Sequence, residues 1–263
     1  PYGGGEICAK NAYVDQITRQ VPAATQPTGI LGLAYPHNSC TPTCTPTILD
    51  SLVASSQLAP EDDKFGICIT PQSGGVIDLG TLNTTRYDPA ELQYTPVTKE
   101  HWYQMAVVDV QVGGVSLDVP QFIWNVVNDG IGTFVDSGTG IIIMSPLAFT
   151  ALTTVFQSPK FAHLAGVSDF FGASTCAAIN NTEVAAYPSI DIVLEGMPGS
   201  GKPVTVSITP NNYLMPQGNQ RCLGITGAAS IGLILGDVFM MNYYVVYDRV
   251  GRKMGFAPIK SCA

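Results

Sequence analysis

The segment Gly132-Thr-Phe-Val-Asp-Ser-Gly-Thr-Gly140, taken with Gly232-Leu-Ile-Leu-Gly-Asp-Val-Phe239 further along, constrains the fold of this chain more than any other feature. An apolar run leads into Asp136 and a Gly-containing turn follows, so the carboxylate is delivered at the end of a strand. The downstream apolar-apolar-Gly segment is suited to pack beside that strand. The same apolar-Gly element recurs at Gly29-Ile-Leu-Gly-Leu-Ala-Tyr35, whereas Asp-Ser/Thr-Gly-Thr/Ser occurs once. That imbalance predicts that half of a two-part site lies outside this sequence.

Asp136, not its neighbour Ser137, is the reactive group this pattern favours. Ser137 lacks the Gly-x-Ser-x-Gly setting of a nucleophile elbow, and no histidine lies near it in sequence. Around Asp136 the turn glycine lets backbone approach a ligand, and Thr139 is placed to donate to an ionised oxygen. A second sequence pattern points elsewhere and fails on context. Gly196-Met-Pro-Gly-Ser-Gly-Lys-Pro203 satisfies most of a phosphate loop, but Pro203 replaces the required Ser or Thr and the following Val-Thr-Val-Ser-Ile alternates like a strand. It reads as a hairpin turn.

The rest of the chain is mostly β. Strand-like runs cover Phe65 to Thr70, Gly75 to Leu79, Gln104 to Val112, Thr133 to Asp136, Ile190 to Leu194, Val204 to Ile208 and Tyr243 to Asp248. Turns such as Gly113-Gly114, Asn128-Asp-Gly130 and Arg249-Val-Gly251 punctuate them. Two helices stand out. One is capped by Thr45 with Pro46 in its first turn and a face of Ile48, Leu49, Leu52 and Val53; the other is capped by Ser145 with Pro146 following and a stripe of Phe149, Leu152 and Phe156. Both stripes are core packing.

Charge and cysteines bound the setting. With 46% hydrophobic residues the 263-residue chain can bury a large core, and its net charge of -8 argues against a nucleic-acid or anionic-membrane partner. No apolar run is long enough to span a bilayer; Ile231 to Tyr247 is interrupted by Gly232, Gly236, Asp237 and Asn242. The chain starts at Pro1 with no leader pattern, which reads as a mature or cleaved product. Seven cysteines and the sequons at Asn83 and Asn180 indicate an oxidising secretory route, hence a secreted or lumenal protein (vacuolar, lysosomal or extracellular) and a glycoprotein. The odd cysteine count leaves at least one thiol free or bonded outside the chain. His37, His101 and His163 are scattered without ligand spacing and no Cys-x-x-Cys pair occurs, so no metal and no cofactor is expected; the histidines read as ordinary surface or core residues.

The chain resembles the later two-thirds of a pepsin-like (family A1) aspartic protease, and the resemblance runs along nearly its full length. Gly29-Ile-Leu-Gly-Leu-Ala-Tyr-Pro36 and the helix after Thr45 resemble the second half of the family's N-terminal lobe. His101-Trp-Tyr-Gln-Met-Ala-Val and Val112-Gly-Gly open a C-terminal lobe in the family manner. Asp136-Ser-Gly-Thr139 matches the second catalytic motif, and Ile234-Leu-Gly-Asp-Val-Phe239, Tyr243-Tyr-Val-Val-Tyr-Asp-Arg249 and Gly255-Phe-Ala-Pro258 match the closing segment. Pro146 falls about one residue later than the family pattern, which touches local loop shape and not Asp136.

The resemblance implies a bilobal fold whose N-terminal lobe is incomplete: 1–95 as the second half of that lobe with interlobe strands, and 96–263 as the C-terminal lobe. It implies that Asp136 is catalytic, that Thr139 orients it, that Ser137 helps lock the catalytic loops, and that Gly138 presents backbone to substrate. Ile30, Leu31 and Gly32 would pack the catalytic loops together with Ile234, Leu235 and Gly236. By the same resemblance Cys176 pairs with Cys222, and Cys68 with Cys262 as in the β-secretase (memapsin) group. Cys40 and Cys44 are close enough in sequence to close a local loop, leaving Cys8 for a missing segment.

The implied activity is peptide hydrolysis by water held between two aspartates, acting on a peptide or protein substrate. The partner aspartate and the flap would precede Gly29, where this chain has too few residues to hold them. A separate N-terminal light chain released from a zymogen, or a truncated sequence, accounts for the intact Asp136 motif better than a homodimer, which would leave residues 1 to about 95 without their other half. The competing class is a catalytically inactive pepsin-fold binding or inhibitor protein.

Overall fold

The computed structural model describes residues 31–40, 43–71, 74–125, 130–172, 174–228 and 231–262. Cys8 and Ile30 lie outside them, as does most of the expected turn before Gly130. The fold is mostly β, as expected, with short helices at the sheet margins.

Four sheets are built from residues that alternate or run apolar. The first is five-stranded and antiparallel throughout, in the order Gly74–Leu79, Lys64–Thr70, Tyr243–Asp248, Lys253–Pro258, Gln93–Pro96. Early and late parts of the chain therefore share one hydrogen-bonded layer. A second sheet runs Val204–Ile208, Ile190–Leu194, Val107–Val112, Val115–Ser116, and a third joins Leu214–Gln217, Gln220–Leu223 and Cys176–Ala177.

The fourth sheet carries the Asp136 motif. Its order is Ile225–Gly227, Ile142–Met144, Ile231–Leu235, Ile131–Val135. Ile231–Leu235 pairs in parallel with Ile131–Val135, placing Leu233 opposite Thr133 and Leu235 opposite Val135. The Asp136 strand and the downstream apolar-Gly segment thus lie side by side, and all of their positions but Ile131, Ile231 and Ile234 are buried, as suits parallel strands. Two glycines permit the approach. A Cβ on Gly232 would sit 2.1 Å from the Trp124 carbonyl oxygen, and one on Gly236 would sit 2.1 Å from the Thr139 carbonyl oxygen.

Three local expectations are corrected. The first helix spans Ile48–Ala54 and is capped by Thr47, not Thr45. Thr47 accepts from the Asp50 amide while the Asp50 carboxylate accepts from the Thr47 amide, a reciprocal box that Thr45 could not close. The expected strand from Gln104 begins only at Val107; Gln104 and Met105 make isolated bridges to Lys99 and Thr133, and the pairing with Ile190–Leu194 shifts register between Val107 and Asp109. Asp136 lies one residue past its strand. The second helix, Pro146–Phe156, is capped by Ser145 as read, and buries Ala148, Leu152 and Phe156 while Phe149 is half-buried.

The failed phosphate loop is a hairpin connection: Val204–Ile208 folds back antiparallel on Ile190–Leu194. Gly196 is needed there because a Cβ would fall 1.8 Å from the Lys202 carbonyl oxygen.

One large buried cluster unites the layers around Trp124, Phe156, Phe170, Tyr213 and Phe239. A smaller one, around Cys68, Tyr87, Tyr244, Val246 and Ala257, lies on the other face of the first sheet. Beside it Arg86 Nε donates to Asp78 Oδ2 at 3.0 Å and the Tyr244 hydroxyl donates to the same oxygen at 2.8 Å, so a buried carboxylate is compensated. Disulfides join Cys68 to Cys262, Cys176 to Cys222 and Cys40 to Cys44. Among the described residues no helix is long and apolar enough to cross a membrane.

Candidate active site

Asp136 emerges from the fourth sheet with its backbone fixed first. Its amide donates to the Leu235 carbonyl at 3.1 Å, extending the parallel pairing by one residue. The turn then closes as the Thr139 amide donates to the Asp136 carbonyl at 3.2 Å, and the Asp237 amide donates to the Thr139 carbonyl at 2.8 Å. Gly236 is what lets the two loops approach this closely.

Side-chain geometry follows from that frame. The Gly138 amide donates to Asp136 Oδ1 at 2.9 Å and Thr139 Oγ1 donates to Oδ2 at 2.6 Å. The two donors fix the plane of the carboxylate. Asp136 is half-buried, and Ser137 and Gly138 are exposed beside it.

The carboxylate opens onto a cavity of about 380 Å³. Phe134 to Gly138 and Leu31 to Ala34 both border it, and Phe65, Tyr103 and Tyr247 add apolar lining. Phe65 and Tyr247 stack with centroids 4.4 Å apart, and Tyr103 meets both edge-on. Burial pushes the Tyr247 phenol up, and the Asp136 charge adds to that. This hydroxyl therefore stays protonated at any working pH.

Leu31 and Gly32 line the same cavity as Asp136, and Leu31 is 59% exposed. Leu235 is buried and Ile234 half-buried in the strand beside Asp136. The segment that carries Leu31 is held by contacts at Leu33 and Tyr35. Tyr103 donates to the Leu33 carbonyl at 2.8 Å, and Tyr35 packs its ring 4.6 Å from that of Tyr103. Arg249 lies 5.4 Å over the Tyr35 ring and pairs with both Asp50 and Asp63. Burial, followed by the Glu100 charge, pushes the Tyr35 phenol up to about 12.

Trp102, Tyr103, Phe65 and Tyr247 were not among the site residues read from the sequence. Each belongs to a segment whose apolar content reads as core, and only the tertiary pairing of early and late strands turns these faces toward Asp136. Asp237 was also missed as a charged neighbour: burial and then the Asp136 charge raise its carboxyl above the ordinary aspartate range, and its Oδ1 is buried without a partner among the described residues.

The remaining sequence candidates lie away from the cavity. Asn180 is exposed, and its side-chain oxygen caps Asn181–Ala185 by accepting from the Thr182 and Glu183 amides. Asn83 Oδ1 accepts from Thr85 in the same manner. Among the described residues no group of three or more His, Cys, Asp or Glu gathers to hold a metal ion.

Comparison with known proteins agrees with the geometry. The sequence model of the eukaryotic aspartyl protease family matches residues 5–259. Cathepsin E of Aquarana catesbeiana is 30% identical over 241 residues, which cover 88% of this chain and 53% of that protein. Pepsin A of Canis lupus familiaris is 27% identical over 250 residues, covering 88% and 54%, and pepsin-2B of Gadus morhua is 28% identical over 241 residues, covering 88% and 63%. The chain spans about half the length of the first two relatives. A carboxylate held at a strand end by its own Ser-Gly-Thr turn, in a sequence that follows the family pattern from residue 5 to residue 259, places this chain in the eukaryotic aspartyl protease family.

Proposed function

We propose that this chain is the greater part of an aspartic endopeptidase in which Asp136 supplies one of two catalytic carboxylates and a segment outside this sequence supplies the other. The observation that carries the reading is the fixed Asp136 carboxylate on an open cavity whose wall includes Leu31 to Ala34. A second carboxylate entering beside that wall would face Asp136. Two such groups cannot both ionise at close range, so they share one proton and hold a water, the general behaviour of the paired aspartates of this family. One carboxylate takes a proton from the water as it attacks the peptide carbonyl, and the other donates to the carbonyl oxygen. The pair titrates as a unit.

In this reading Thr139 and Gly138 hold Asp136 in plane, Ser137 sits where the partner loop approaches, and Leu31 and Gly32 border the seat of that loop. Cys8 is the residue for a bond to the missing segment. The three disulfides and the sequons at Asn83 and Asn180 support passage through an oxidising secretory compartment. Processing from a zymogen would supply a light chain.

Intact-mass measurement of native material before and after reduction tests this. The expected result is a companion chain, or a longer single chain, carrying a second Asp-Thr/Ser-Gly, together with peptidase activity at acid pH. A lone 263-residue species without such activity would overturn the reading in favour of a pepsin-fold binding protein.

A further inference from the structure

His37 and His101, remote in sequence, meet beside Trp102, which lines the cavity. Their rings contact edge-on, with centroids 4.9 Å apart at 76°. Asn38 Nδ2 donates to the His101 carbonyl at 2.7 Å, tying the Pro36–Ser39 turn to the segment that carries His101. That bond draws together the two segments that carry the imidazoles. His101 also stacks on Trp102 at 3.9 Å and 9°, and Trp102 faces Phe134 at 5.8 Å. Trp102 and Phe134 line the cavity with Asp136. A row of rings therefore leads from the reactive carboxylate outward to the two imidazoles.

The local charge runs against the charge of the whole. The chain carries a net charge of -8, yet among the described residues the charge that acts on His101 besides His37 is that of Lys99, and the neighbouring Glu100 carboxylate is engaged by Arg252 Nε at 2.6 Å. Burial, then the charges of His37 and Lys99, hold His101 below the ordinary imidazole range. Imidazoles in general gain positive charge in acid, the range that suits a proton-sharing aspartate pair. Two adjacent imidazoliums repel, and a carboxylate that accepts from both removes the repulsion. A glutamate side chain remains ionised down to about pH 4.3 while an ordinary imidazole protonates below about pH 6.5. Above the glutamate value and below the lowered range of His101 the two are complementary.

We propose that His37 and His101 form an acid-armed carboxylate subsite at the cleft rim, selecting peptides that place an acidic side chain beyond Trp102. The role as a substrate subsite rests on the protease reading above. Linkage gives it a signature: a ligand that binds the protonated pair raises the proton affinity of both rings.

The test uses binding, not hydrolysis. N-acetyl-glutamate methylamide and its glutamine twin are titrated into the native protein at pH 5.5 and pH 7.5, with imidazole NMR signals and tryptophan emission as readouts. Of the two tryptophans Trp124 is fully buried, so a change in emission reports Trp102. The glutamate probe is expected to bind about five-fold more tightly than its twin at pH 5.5, the scale of one partly exposed charge pair. The preference should vanish at pH 7.5 and in the exposed-site variant His37→Gln, and the His101 titration should move upward with the probe bound. Equal responses to the two probes at pH 5.5, no response to either, or a preference that survives in the His37→Gln/His101→Gln double variant overturns the proposal. A protein that shows the preference but cleaves no peptide would sink the protease reading and leave the carboxylate site standing.

Discussion

Thr139 Oγ1 donates to Asp136 Oδ2 at 2.6 Å while the Gly138 amide occupies Oδ1 at 2.9 Å. Both oxygens of the proposed catalytic carboxylate are therefore fixed by its own turn, before any partner loop arrives. Replacing Thr139 by Val keeps the shape and removes the donor. A hydrogen bond to a charged group contributes about 1.5–3 kcal/mol, so kcat/KM at acid pH should fall roughly ten- to hundred-fold. Thr139→Ser should restore most of it, and both variants should unfold near the wild-type urea midpoint.

Gly236 is the tightest point between the Asp136 turn and its neighbouring strand. A Cβ there would lie 2.1 Å from the Thr139 carbonyl oxygen and 2.3 Å from that of Ile141, backbone atoms that cannot swing aside. Gly236→Ala should cost about 2–4 kcal/mol, at the upper end of overpacking effects. Urea denaturation would show it as a lowered midpoint with unchanged slope.

Arg249 lies over Tyr35, next to the cavity-lining Leu31 to Ala34, and pairs with Asp50 on one helix and Asp63 on the turn before Lys64–Thr70. Burial opposes ionisation of Asp50, but hydrogen bonds from Arg249 and Thr47 outweigh it and hold its carboxyl below the ordinary range. For Asp63 burial outweighs Arg249 and the carboxyl is raised. A depressed folded-state pKa contributes stability above the unfolded value and loses it as pH falls through the folded one. Asp50 thus makes Arg249 matter most at neutral pH. Arg249→Met should cost about 2–4 kcal/mol at pH 7, because it strands buried charge, and less near pH 3. A penalty that is equal at both pH values would contradict this account.

Asp237 should behave in the opposite sense. Burial, and then the Asp136 charge, raise its carboxyl. A raised folded-state pKa favours the folded protein below the unfolded value, and that contribution is lost as pH rises through the folded one. Asp237→Asn should therefore raise the melting temperature at pH 7 relative to wild type and leave it nearly unchanged at pH 3. Calorimetric scans at the two pH values would show whether the gain is confined to neutral pH.

Much of this fold could be read from residue order. Ile190–Leu194, Val204–Ile208 and Tyr243–Asp248 were legible because β-branched and aromatic residues run between clear turn signals. The pairing of Ile131–Val135 with Ile231–Leu235 was legible because both segments place glycine where backbones must approach. What could not be read is what long-range pairing creates. Tyr35, Tyr103 and Arg249 look like unrelated core and surface residues until the early and late strands share a sheet. The contact of His37 with His101 is hidden for the same reason: ligand spacing along a sequence reveals histidines on one element, and these two sit on different ones. The cap at Thr47 was missed in favour of Thr45 because Pro46 suggested a first helical turn, while Asp50 was the stronger signal.

Peptide hydrolysis at acid pH by the native protein, wild type against Asp136→Asn, tests the central claim most directly. If Asp136 is one of two carboxylates that share the work, the variant should keep its fold, by circular dichroism and urea midpoint, and lose at least about ten thousand-fold in kcat/KM, the scale seen when a member of a catalytic unit is removed. A variant that folds and still hydrolyses peptide at a rate near that of wild type would contradict the account.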